Sequence, residues 1–367
     1  MLLQLAIIGV LIALFPISYV LVRGDRNKYR KLVWITAFLT LDLIMFGSFT
    51  RLTDSGLGCP DWPGCYGHSN PHAAMEPIHA AETALPSGPV TLAKAWIEMI
   101  HRYFAMAVGV LIITLMVLAW VKRRELKQSP WFATGVLLLV CVQGAFGAFT
   151  VTMKLQPVIV VTHLLLGMSL LAALIWLGSR NDQPHPVAPQ AGALRWPARA
   201  ALLLLVIQIF LGGWVSTNYA VMACTDFPLC NGQLVPEMDF AHGFTLWRQL
   251  GMTAAGDYIP HAALVAIHWV HRCFAVVVLG YLAWFGLRAR RLEGLGGTSR
   301  WLLAALALQL ATGLSNIVLD WPLVAAVLHN GGAAVLLLLL VRLNYNIGLA
   351  TRPAGAASSV PAAARAT

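Results

Sequence analysis

Four cysteines and four histidines in this chain of 367 residues recur in register, and their types could build one kind of site twice. Gly58-Cys59-Pro60-Asp61-Trp62-Pro63-Gly64-Cys65-Tyr66-Gly67 and Ala223-Cys224-Thr225-Asp226-Phe227-Pro228-Leu229-Cys230-Asn231-Gly232 match at an offset of 165. Each is followed by a His-Arg pair, His101-Arg102 and His271-Arg272, and then by a further histidine in an apolar run, His163 and His329. Ionisable side chains inside a bilayer are costly, so a functional role is the default reading for them. Neutral imidazole is a good iron ligand, and two histidines facing each other across a helical bundle can give an iron porphyrin both axial ligands. A polar core residue bonded across helices is the competing use, but four histidines at matching depth in a duplicated frame favour ligation. Zinc fits less well, because no third ligand recurs in both halves.

The elements that must position these residues follow from composition. Hydrophobic residues make up 59% of the chain and charged residues 11%, against roughly 45–50% and about 25% in soluble domains. Apolar runs long enough to cross a membrane as helices fall near 1–22, 32–50, 97–121, 130–150, 157–178, 199–217, 261–287, 300–319 and 322–341. The expected fold is an all-α integral membrane protein with two pseudo-symmetric four-helix transmembrane bundles and one extra amino-terminal transmembrane helix. An even number of spans per copy makes the copies cross in the same sense, related by an axis along the membrane normal. The expected divisions are the extra helix and a basic loop at 1–30, a first bundle at 31–180 with a long loop at 51–96, and a linker at 181–198. A second bundle at 199–343 with a loop at 218–260 follows, and then a disordered tail rich in Ala, Ser and Pro at 344–367. Gly167, Gly331 and Gly332 are expected to let a flat ring approach the backbone, and Cys141 and Cys273 to be small core residues.

The net charge of +10 is a topology signal and not a nucleic-acid footprint. Of the 25 Lys and Arg, 19 cluster on alternate loops, around Arg23 to Lys31, Lys122 to Lys127, Arg180 to Arg199, Arg288 to Arg300 and Arg342 to Arg365. By the positive-inside rule that side is cytoplasmic, which places the amino terminus and both cysteine loops outward and the carboxy terminus inside. The first span has its basic flank after the apolar run, which suits an uncleaved helix. With no Arg- and Ser-rich presequence, a bacterial inner membrane is expected. Cysteine pairs in an outward space are expected to oxidise.

The copies differ at Glu98, whose counterpart is His268. Each lies three residues before a ligand candidate and so on nearly the same helix face. A carboxylate beside a cofactor in apolar surroundings can accept protons or stabilise developing positive charge, so the first half reads as a reaction site and the second as a resident cofactor site. Arg102 and Arg272 could hold porphyrin propionates or snorkel to the headgroups. The cysteine loops, rich in turn residues, could brace a lid over each bundle or exchange thiols and electrons.

Gly47-Ser48-Phe49-Thr50-Arg51-Leu52-Thr53-Asp54-Ser55-Gly56-Leu57-Gly58-Cys59, Glu98-x-x-His101-Arg102, Thr162-His163, Cys224 to Gly232, His271-Arg272 and Leu328-His329-Asn330-Gly331 together resemble the haem A synthase family over about residues 32–343. The resemblance implies oxidation of the C8 methyl group of haem O to the formyl group of haem A for terminal cytochrome oxidase. It implies that His101 and His163 ligate the substrate haem, that His271 and His329 ligate a haem b, and that Glu98 is the catalytic carboxylate. Cys59 and Cys65 would form a disulfide important for activity, with Cys224–Cys230 as its structural counterpart. Haem O synthase (protohaem farnesyltransferase) and oxidase assembly factors are the implied partners; the electron donor and a homo-oligomeric state stay open. The chain departs from the family's eight-span pattern by its first helix. A two-haem b-type electron-transfer protein would use the four histidines equally well, and Glu98, present in one half only, favours the enzyme.

Overall fold

The computed structural model describes residues 1–24, 27–126, 128–183 and 185–350. Arg26, Lys127, Pro184, Arg352, Arg365 and the tail beyond Ala350 lie outside them. Among the described residues nine helices are long and apolar enough to cross a membrane, and the chain is an all-α multi-pass membrane protein.

The helices in chain order are α1 (Leu2–Val22), α2 (Lys28–Leu52), a short α3 (Met75–Ala84) in the first cysteine loop, α4 (Leu92–Val121), a one-turn α5 (Arg123–Leu126), α6 (Trp131–Thr152) and α7 (Pro157–Asn181). They continue with α8 (Arg195–Thr217), a one-turn α9 (Phe240–Gly243), α10 (His261–Ala289), α11 (Gly296–Val318) and α12 (Leu323–Ala350). Capping by polar side chains sets several starts beyond the apolar runs. Asn27 accepts the Arg30 N–H at 2.9 Å, and Thr91 accepts the Lys94 N–H at 3.2 Å, so α4 begins at Leu92 and the first long loop ends before residue 96. Pro157 opens α7, where its missing N–H costs nothing. At the other end of the chain α12 runs on to Ala350, past residue 344, where the tail is expected to begin; Asn344 donates to the Ala198 carbonyl at 3.0 Å and fastens that stretch to α8.

One bundle is formed by α2, α4, α6 and α7, the other by α8, α10, α11 and α12. Between them α2 packs on α12, α7 packs on α8, and α7 meets α12. Exchanging the two copies turns the first of these contacts into the second and the third into itself, which is the pattern of a pseudo-two-fold axis. Equivalent residues also meet each other. Arg51 donates to the Ser216 carbonyl at 2.7 Å, and the Tyr219 hydroxyl bonds Asp54 at 2.6 Å, each pair 165 residues apart. The Arg51 guanidinium lies 4.0 Å from the centre of the Tyr219 ring. This clasp joins the bundles at the end carrying the cysteine loops. At the opposite end Asp182 takes the Trp34 indole N–H at 3.0 Å and pairs with Arg342 at 3.3 Å. Replacing Arg51 by Ala removes a charged hydrogen bond and a cation–π contact together. The expected loss is about 2 kcal/mol, read as earlier thermal unfolding in detergent, while Lys28→Ala on the exposed rim leaves the unfolding temperature nearly unchanged.

The outlying α1 packs on α4 and α2 and has no counterpart in the second half. Its Leu5 is buried in one cluster with Cys59, Cys65, Ile78 and Met99, beneath the first cysteine loop. Cys141 on α6 and Cys273 on α10 are exposed and not in the core as expected.

Candidate functional site

Both cysteine pairs are disulfides, Cys59–Cys65 and Cys224–Cys230. Each short loop is shaped by an aspartate inside it. Asp61 accepts the Tyr66 and Gly67 N–H groups at 2.6 and 2.8 Å, and Asp226 accepts those of Asn231 and Gly232. The Gly232 N–H is the largest influence holding the Asp226 carboxyl below its ordinary value, with the Asn231 N–H and the Arg272 charge adding to it. The lowered value means that these bonds favour the folded loop at neutral pH and are lost only as pH falls below the ordinary carboxylate range. The protection of the Asn231 and Gly232 amides, taken relative to their intrinsic exchange rates, should therefore hold down to mildly acidic pH and fall below it. Asp226→Ala should make those amides exchange quickly at neutral pH.

The arginines lie across these loops. Arg102 donates to the carbonyls of Asp61, at 2.9 Å, and Gly64. Arg272 donates to the equivalent carbonyls of Asp226 and Leu229 at 2.8 and 3.0 Å. The residue one turn earlier holds the first cysteine of each loop. Glu98, buried, accepts the Cys59 N–H at 2.8 Å and forms an ion pair with Arg102; His268, buried at the equivalent place, accepts the Cys224 N–H at Nδ1 over 3.3 Å. The two halves thus share a geometry and differ in charge. Arg102 has a carboxylate to satisfy it, whereas one terminal nitrogen of Arg272 is buried without a hydrogen-bond partner.

The structure brings the histidines together in pairs. His101 from α4 and His163 from α7 lie within electrostatic reach of each other inside the first bundle, as do His271 and His329 inside the second. A glycine on a neighbouring helix backs every ring. A Cβ at Gly47 would sit 3.0 Å from His101, at Gly147 3.2 Å from His163, at Gly212 3.0 Å from His271 and at Gly313 2.9 Å from His329. A methyl group there would crowd the imidazole, which would have to give by a few tenths of an ångström. Gly167, Gly331 and Gly332 instead face Gln143, Met45 and Gln309, so the glycines that matter to the imidazoles are a different set.

Glutamines complete each pair. Gln143 and Gln309 lie 3.5 and 3.4 Å from Nε2 of His163 and His329, and Gln208 lies 3.1 Å from Nδ1 of His271. Nδ1 of His101 and of His163 are buried with no hydrogen-bond partner. In the second bundle Thr312 also lies 3.2 Å from Nδ1 of His329, so the orphaned imidazole nitrogens belong to the first bundle alone. Imidazoles paired across a bundle and backed by glycine suit a planar metal complex that takes one ligand from each side. Among the described residues no group of three or more His, Cys, Asp or Glu forms a cage for a bare ion, and the paired arrangement fits haem iron.

The protein is thus a duplicated membrane bundle, with one imidazole pair under a disulfide-braced loop in each half. The chain belongs to the COX15-CtaA family, described as cytochrome oxidase assembly protein, which matches over residues 30–341. It is 39% identical to a heme A synthase of Shewanella oneidensis over 86% of this chain and 96% of that one. It is 28% identical to a heme A synthase of Methylobacterium radiotolerans over 91% and 95% of the two chains, and 29% identical to one of Caulobacter sp. over 86% and 95%. The family match begins after α1.

Proposed function

We infer that this chain is a haem A synthase, oxidising the C8 methyl group of haem O to the formyl group of haem A for terminal oxidase. The observation that carries this reading is the repeated pair of glycine-backed imidazoles with a buried carboxylate, Glu98, in one copy alone. His101 and His163 are the ligands for the substrate haem, and His271 and His329 for a resident haem b. A bound haem supplies the electron-transfer chemistry that side chains lack and that an unactivated methyl group requires.

The side chains do the rest. Glu98 receives protons released at the methyl carbon or steadies positive charge there, and Arg102 and the Cys59 N–H fix where its two oxygens point. Cys59–Cys65 acts through this bond, as a brace that places Glu98. Arg272, with its unpaired nitrogen, is suited to a haem propionate in the second half; Arg102 is already held by Glu98. A buried carboxylate on one side only favours the enzyme over an electron carrier with two haems. The protein belongs in a bacterial inner membrane with its cysteine loops outward, receiving haem O from a protohaem farnesyltransferase and passing haem A to oxidase assembly.

The test is expression with a haem O synthase in a host that makes no haem A. Haem A in the acid-acetone extract supports the reading, and accumulation of haem O without haem A overturns it.

A further inference from the structure

Asp42 stands in the middle of α2 and is exposed, yet it faces an apolar cleft of about 570 Å³ between α1, α2 and α4. Phe15 and Tyr19 of α1, Leu39 and Phe46 of α2 and Phe104 of α4 are among its walls. Asp42 forms no hydrogen bond or ion pair with any described residue. A carboxyl group at this depth is expensive unless something polar meets it. The second half offers no copy of the arrangement, because the position equivalent to Asp42 is Ile207 and α1 has no counterpart. Like Glu98, the cleft belongs to the first half alone. It also shares a wall with the imidazole pair, for the ring of Phe46 stacks on His101 at 6.1 Å between centroids with 23° between planes. Asp42 lies four residues before Phe46 and so one turn away on the same face of α2.

We propose that this cleft holds the hydroxylated farnesyl chain of the substrate haem, with Asp42 bonding the hydroxyl where the chain joins the ring. The proposal rests on the haem A synthase reading and adds the subsite that distinguishes haem O from protohaem, which lacks the chain. The volume lies in the usual range for small-molecule pockets. Its walls are hydrocarbon save for Tyr19 and Asp42, which matches a long apolar chain carrying one hydroxyl. Helix α1 supplies one wall, through Ile12, Phe15, Pro16 and Tyr19, so that the chain would lie between protein helices.

The purified protein, with its second bundle loaded with haem b, is titrated with haem O and with protohaem and followed by Soret absorbance. Wild type should bind haem O at least about tenfold more tightly than protohaem. Asp42→Leu should weaken haem O about tenfold, the size of one hydrogen bond to a charged group, and leave protohaem within about twofold. Leu39→Trp, which fills the cleft, should remove most of the preference between the two haems. Full haem b content in both variants reports that they fold. An unchanged preference in both variants overturns the proposal and leaves the cleft to lipid chains. If wild type binds neither haem in a His101-dependent manner, the synthase reading fails and the cleft assignment falls with it.

Discussion

Glu98→Ala is expected to reduce haem A formation by at least about 100-fold, the scale of a lost proton-transfer group, while haem b stays bound. The residue joins two systems. One oxygen takes the Cys59 N–H and the other meets Arg102, which in turn donates to the Asp61 and Gly64 carbonyls. Alanine therefore removes both the carboxylate and the anchor of the loop. Glu98→Gln separates them, because its amide oxygen can still accept the Cys59 N–H. That variant should keep slow amide exchange in the first cysteine loop and still lose haem A formation. Haem extraction from cells making haem O, together with exchange at Cys59 and Tyr66, checks both parts. Activity near wild type in the glutamine variant would reduce Glu98 to a brace.

His271→Ala should lower haem b content at least about tenfold. Loss of a residue that merely orients a metal ligand costs 10–100-fold in affinity, and loss of the ligand itself costs no less. The first bundle should be spared, since its own imidazoles come from α4 and α7 and the bundles meet through α2, α7, α8 and α12. Pyridine haemochrome analysis of the purified variant reads haem b directly. Gly212→Leu is the informative companion: a Cβ there would already sit 3.0 Å from His271, so the larger side chain should displace the ring and mimic the ligand loss without touching a ligand.

The sequence reveals the nine spans because each is a long run of apolar residues, a signal that survives any detail of packing. It is less informative about their ends. Thr91 and Asn27 cap helices from polar stretches, and α12 continues to Ala350 through residues whose composition resembles a tail. The histidine pairs are legible because duplication repeats them in register. Their glycine backing is present in the same register, Gly47 with Gly212 and Gly147 with Gly313, but glycine is common in membrane helices and nothing local marks which one faces a ring. The bond from Cys59 to Glu98 spans 39 residues and leaves no periodic trace. The arginines could be placed at the outer ends of their helices from sequence, whereas their hold on the loop carbonyls depends on how the loops fold back. Asp42 is visible as an acid in an apolar run and gains meaning only when α1 is packed beside it.

The two copies share one scaffold, and the first alone carries a buried carboxylate and a covering helix. The most direct test of this division of labour is the haem composition of the purified protein from cells that make haem O, for wild type, His101→Ala and His271→Ala. Wild type should carry haem b together with haem O or haem A. His101→Ala should retain only haem b, and His271→Ala should lose haem b selectively. Haem b in both bundles of the wild type, with haem O and haem A absent, would contradict the account.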